Sequence, residues 1–144
     1  MKKQMKKLTM FLLAALLVLG SIAPTAGATQ ARASTYFKSP TISISAQGSG
    51  KVKVSFTIKA NQTMDTLGAS YITIWEKQSS GSYKQVKIFT RADGIMSSDT
   101  ASASGSVTYS GTAGTKYYAV INFYTTLGDD YESEAHTTSI ITAS

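Results

Sequence analysis

The chain has 144 residues, with 14 Lys and Arg against 8 Asp and Glu, one His and no Cys. The lack of Cys excludes a disulfide framework, a Cys-ligated zinc site, a thiol nucleophile and a lipidated Cys, so packing alone must hold the fold. The formal charge of +6 points to an anionic partner only until the charges are located along the chain.

Lys2, Lys3, Lys6 and Lys7 precede an apolar run over residues 8–23, and small residues follow at Ala26-Gly27-Ala28 and Ala31-Arg32-Ala33. A basic start, a short apolar middle and an A-x-A end predict a secretory signal peptide over residues 1–33, cut after Ala28 or Ala33. A membrane span needs about 20 consecutive apolar residues, and Gly20, Ser21 and Pro24 break this run too early. The remainder, residues 34–144, is long enough for one domain with one core. Cleavage after Ala33 leaves nine basic residues against eight acidic ones, with no run of Lys or Arg. That balance excludes a phosphate-backbone footprint, so neither nucleic acid nor a membrane is an expected partner after cleavage. Thr142-Ala143-Ser144 follows strand-like residues without an apolar tail, which predicts a released, extracellular protein.

The mature segment reads as strands. Over 51–60, Val52, Val54, Phe56, Ile58 and Ala60 alternate with Lys51, Lys53, Ser55, Thr57 and Lys59, giving one apolar face and one wet face. A slip of one residue would expose the whole apolar set, so the register is set by burial. Strands are also predicted over 41–46 (Ile42, Ile44 inward), 69–77 (Ile72, Ile74), 82–90 (Val86, Ile88), 101–109 (Ala103, Val107, Tyr109), 115–126, and 135–142, the last closing through Ile140 or Ile141. Gly48-Ser49-Gly50, Ser79-Ser80-Gly81, Asp93-Gly94 and Gly128-Asp129-Asp130 supply turns. The two prolines, Pro24 and Pro40, avoid the predicted strands. From Ser34 onward there are nineteen Ser and sixteen Thr, enough for a mucin-like stalk. Their placement in the polar slots between apolar residues assigns them instead to the solvated faces of sheets. Seven antiparallel strands with no helical periodicity predict an all-β, seven-stranded β-sandwich after the N-terminal signal helix.

The stretch Val107-Thr108-Tyr109, a Gly-rich link, then Gly114-Thr115-Lys116-Tyr117-Tyr118-Ala119-Val120 resembles the E-to-F passage of fibronectin type III domains. The resemblance implies that Tyr117 is the Tyr of a tyrosine corner, capping the sandwich through a hydroxyl–backbone bond, with Ala119, Ile121 and Phe123 facing the core. The family's Trp on the second strand is replaced by Phe56; Trp75 lies one strand later, where immunoglobulin-like domains keep a core Trp between cysteines that this chain lacks. Residues 42–56 (ISISAQGSGKVKVSF), 63–76 (TMDTLGASYITIWE) and 105–124 (GSVTYSGTAGTKYYAVINFY) also resemble a group of short secreted proteins of Gram-positive gut bacteria. That resemblance implies export and brings no activity with it.

Catalytic groups are sparse. His136 is the sole His, no G-x-S-x-G elbow occurs, and the expectation is a non-catalytic protein without cofactor. Asp129, Asp130, Glu132 and Glu134 form the one dense acidic group. The first three are weak calcium candidates, against the plainer reading of a solvated hairpin loop whose charges discourage edge pairing. Asn61-Gln62-Thr63 fits the glycosylation pattern and is read as a chance match. If Ile72, Ile74, Ala119, Ile121 and Phe123 face inward, then Tyr71, Trp75, Tyr118 and Tyr124 face outward on neighbouring strands, forming an aromatic strip suited to a glycan, a cell wall or a protein partner. The competing arrangement turns Trp75 into the core or leaves the rings covering only their own sheet. Function therefore narrows to a secreted interaction module, with glycan or wall binding as its sharper form. A secreted effector of bacteriocin type remains a third class, although the amphipathic basic helix expected of a membrane-active peptide is missing.

Overall fold

Backbone groups in this Ser/Thr-rich chain are satisfied between strands. The computed structural model describes residues 35–144, which fall within one compact unit; the signal-peptide expectation, with both cleavage sites, lies outside the described residues. The architecture is all-β and antiparallel. Among the described residues there are seven strands, β1 (Thr41–Gly48), β2 (Lys51–Lys77), β3 (Tyr83–Thr90), β4 (Met96–Ser110), β5 (Lys116–Leu127), β6 (Asp130–Thr137) and β7 (Ile141–Thr142), with a single 3-10 turn at Arg91–Asp93.

The organising element is β2, 27 residues long. Residues 51–57 pair with β1 and residues 51–68 with β4. Residues 66–76 then pair with β5, and 71–77 with β3; β6 continues the sheet beyond β5. Phe56 and Ala69 are thirteen positions apart, roughly 43 Å along a straight strand. Yet Phe123, the register partner of Ala69, brings its ring centroid 5.4 Å from that of Phe56. Hence β2 bends back, and its two halves face each other across this edge-to-face pair.

The bend lies in 60–63, Ala60 followed by the polar Asn61, Gln62 and Thr63, where the β2–β4 register shifts between Lys59 and Met64. The chain before β1 fills the corner: Phe37 bridges Ala60, Lys38 N–H donates to Lys59 O at 2.8 Å, and Asn61 N–H donates to Tyr36 O at 2.8 Å. Beyond the corner, Leu67, Gly68 and Ala69 are buried in succession, because both sides of the strand are covered there. Gly68 has φ 154°, and a Cβ would stand 2.5 Å from Ile95 O, so this crossing needs glycine for both conformation and space.

The core gathers Val52, Val54, Phe56 and Ile58 from the first half of β2, Ile72 and Ile74 from the second, and Tyr117, Ala119, Ile121 and Phe123 from β5. Two buried threonines are satisfied: Thr125 Oγ1 donates to Thr66 O at 2.8 Å, and Thr138 Oγ1 accepts the Ala119 N–H at 3.0 Å.

Several sequence expectations are corrected. The strands over 51–60 and 69–77 are one strand, since residues 61–68 hold no proline and their single glycine is absorbed at the crossing. The strand predicted over 135–142 is two, with Asp130, Glu132 and Glu134 inside β6 and only Asp129 in the turn before it; charges are tolerated there because β6 borders only β5. The count of seven thus agrees while its membership differs. Ile88 is exposed at 45% and Phe89 is buried, because a register shift between Ile74 and Trp75 changes the parity of β3. Ile140 is exposed, and Ile141 packs against the core.

Phe56 owes its place to Gly105, its register partner on β4. A Cβ at residue 105 would lie 2.8 Å from Phe56 Cε1 and Cζ. Gly105→Ala is therefore expected to push the ring off Phe123 and lower stability by about 1–3 kcal/mol, measured as a urea midpoint shift at unchanged slope. A silent substitution would mean that the ring has room to move.

Candidate functional site

Alternation along β2 and β5 decides which rings face solvent. On β5, Tyr117, Ala119, Ile121 and Phe123 are buried, which turns Tyr118, Val120, Asn122 and Tyr124 outward. The β2–β5 register places Trp75 opposite Tyr118, Thr73 opposite Val120 and Tyr71 opposite Asn122. Tyr71, Trp75, Tyr118 and Tyr124 therefore lie on one sheet face. The Trp75 and Tyr118 rings are parallel within 1°, with centroids 6.0 Å apart. Tyr83 of β3 meets Tyr118 edge-on at 4.9 Å.

Trp75 neither enters the core nor stands free: it is half-buried. Its Nε1–H is buried without a hydrogen-bond partner, which costs about 1–3 kcal/mol. That edge is turned away from water, so the indole can offer a ligand its carbon surface and not its N–H. Tyr71 is 44% exposed.

Six positions along β5 from Tyr118, a second aromatic group forms around Tyr124. Tyr131 stacks on it with centroids 6.0 Å apart and planes 24° from parallel, and the Arg91 guanidinium carbon sits 4.6 Å from its centroid, within cation–π range. Sequence reading missed Tyr83, Arg91 and Tyr131. Tyr83 has the outward parity of its predicted strand and was within reach; Tyr131 sat in what read as a loop, and Arg91 joins the face only through folding. Between the two groups, Asn122 Nδ2 donates to Ser70 Oγ at 2.8 Å and to Ser133 Oγ at 3.1 Å. A hydroxyl–amide row thus crosses three strands.

Behind the Trp75–Tyr118 pair, the inward pair Glu76–Tyr117 is hydrogen-bonded. Tyr117 donates its hydroxyl proton to Glu76 Oε2 at 2.7 Å and accepts the Thr112 N–H at 2.9 Å. Burial pushes the Tyr117 pKa upward, the Thr112 N–H opposes that shift, and Glu76 adds to it.

Two of the three calcium candidates are otherwise engaged. Glu132 accepts the backbone N–H groups of Thr35 and Tyr36, each at 3.0 Å, and Asp130 accepts the Tyr36 hydroxyl at 3.1 Å. Asp129 is exposed at the turn into β6. Among the described residues, no group of three or more His, Asp or Glu side chains is gathered to hold a metal ion. His136 lies against Phe123, centroids 5.6 Å apart. Its Nε2 is 3.1 Å from Glu134 Oε1, and that buried nitrogen makes no hydrogen bond. Compared with protein families, curated proteins and solved structures, the chain matches none.

Proposed function

We propose that the mature chain is a secreted, non-catalytic interaction module, a β-sandwich of fibronectin III or immunoglobulin-like type, and that the outer face of β3, β2, β5 and β6 is its contact surface. The sandwich reading is supported by the division of pairing along β2. One group of strands is β1, the first half of β2, and β4; the other is β3, the second half of β2, β5 and β6. Their apolar sides meet at Phe56 and Phe123, as two packed antiparallel sheets require. The Tyr117 hydroxyl–Thr112 backbone bond supports the same reading.

The observation that carries the contact surface is the pair of aromatic groups on one face, Trp75–Tyr118–Tyr83 and Tyr124–Tyr131–Arg91. Flat rings beside amide and hydroxyl groups favour a partner that is part apolar and part hydrogen-bonding. The test is retention of the purified mature protein on cell walls, immobilised glycans and mucosal extract. Tyr118→Ala and Tyr71→Ala are expected to lower retention by about tenfold or more, a loss of roughly 1.4 kcal/mol or more. Lys59→Ala, in the first half of β2, should leave it intact. Retention that survives both tyrosine variants would place the contact elsewhere.

A further inference from the structure

The aromatic face has a one-sided charge. Lys77 and Lys116, both exposed, continue the alternation of Trp75 and Tyr118 at one end of the strip. Arg91 lies over Tyr124 at the other. No outward position of β3, β2, β5 or β6 on this face holds a carboxylate: β6, the most acidic strand, presents Tyr131, Ser133, Ala135 and Thr137 outward and turns Glu132 and Glu134 the other way. Most acidic groups elsewhere are engaged, Asp99 and Asp129 being exposed off this face. Glu76 holds Tyr117, Asp65 accepts the Gly128 N–H, Asp93 accepts the Thr90 N–H, and Asp130 and Glu132 hold the chain before β1. None of the three cations is ion-paired within the described residues, where the one close approach of this kind, His136 to Glu134, involves none of them.

We propose that this face binds an acidic polysaccharide, a linear chain of uronate sugars lying along β5. The inference rests on the reading of the aromatic face as the contact surface and adds the ligand's chemistry. Three observations select it. Two aromatic platforms about 20 Å apart, six residues of strand, offer flat apolar surface to the C–H faces of pyranose rings and call for an extended ligand. The Ser70–Asn122–Ser133 row between them offers hydroxyl and amide partners to sugar hydroxyls. Cations at both ends, with no carboxylate at the outward strand positions between them, complement an anion repeated along the chain. A neutral glycan leaves these charges unused, and an acidic peptide lacks ring faces for the platforms.

The test uses the mature protein and three polyuronates (polygalacturonate, alginate and hyaluronan) in titration calorimetry. Fully methyl-esterified polygalacturonate supplies the rings without the charge, and poly-glutamate the charge without the rings. Binding to at least one polyuronate is expected, weakening with salt, with both controls weaker by about tenfold or more. Arg91→Gln combined with Lys116→Gln should weaken polyuronate binding by about tenfold or more with the fold intact, because both side chains are exposed and only the Arg91–Tyr124 contact is lost. Equal binding to the methyl ester, or to poly-glutamate, overturns the proposal. Absence of binding to all three polyuronates, with tyrosine-dependent retention on other material intact, overturns it and leaves the contact surface standing. Loss of tyrosine dependence everywhere removes both.

Discussion

Phe123→Ala is expected to cost about 3–5 kcal/mol, a large part of the 5–15 kcal/mol that stabilises a typical domain. Phe123 is fully buried, sits edge-on to Phe56, and also carries the His136 ring. It is the point at which the two halves of β2 are held face to face. In a domain of this size each kcal/mol moves the melting midpoint by roughly 4–8 °C, so the variant should melt well below the parent. Phe56→Ala should be similar, and the double variant should lose less than the sum. The shortfall, about 0.5–1.5 kcal/mol, is the edge-to-face interaction itself. Strict additivity in urea titrations would show that the two rings stabilise their own halves independently and that the bend in β2 is held elsewhere.

How much of this was legible in the sequence depends on how local each feature is. The alternation over 51–60 specified both strand and buried face, because period-two burial needs nothing beyond neighbours in the chain. The inward set Ala119, Ile121 and Phe123 came from the likeness of 107–120 to a fibronectin type III passage, alternation then put Tyr118 and Tyr124 outward, and the burial pattern of β5 agrees. Continuity of β2 was hidden, because whether a polar stretch such as 61–63 turns the chain or merely bends it depends on what pairs beside it. Here Tyr36, Phe37 and Lys38 supply those pairs. The exchange of Ile88 for Phe89 was equally hidden, since a register shift against β2 reverses parity downstream without a local signal. Tyr131 was lost for a third reason. An acidic run reads as loop, yet an edge strand accepts Glu132 and Glu134 on one side while presenting Tyr131 on the other.

Tyr117→Ala should rival the loss at Phe123 by a different route. The ring is fully buried and meets Tyr109 at 5.9 Å, and Gly111 stands so near that a Cβ there would lie 2.5 Å from the hydroxyl oxygen. Truncation removes the ring, about 3–5 kcal/mol, and also leaves the Glu76 carboxylate and the Thr112 N–H without this partner. Tyr117→Phe keeps the ring and isolates the hydroxyl, at about 1–3 kcal/mol. The pH dependence separates the two contributions. Tyr117 has a folded-state pKa above the ordinary value of 10.0, chiefly through burial, and Tyr109 is raised for the same first reason. Tyr36 is raised first by its bond to Asp130. As pH climbs through 10, the unfolded chain releases these protons before the folded one does. Stability is then intact below about pH 10 and falls as pH rises through the folded-state values. Tyr117→Phe removes one contributor, so urea midpoints measured from pH 7 to pH 11 should start lower than the parent's and decline less steeply. An equal decline would show that the hydroxyl does not feel its buried setting. The register gives this bond its bearing on the outer face. Glu76–Tyr117 and Trp75–Tyr118 are successive cross-strand pairs of one ladder, so the inward hydrogen bond fixes the alignment that stacks the outward rings. Tyr117→Phe should therefore loosen the Trp75–Tyr118 stack without touching either ring, seen as a red shift and broadening of Trp75 emission.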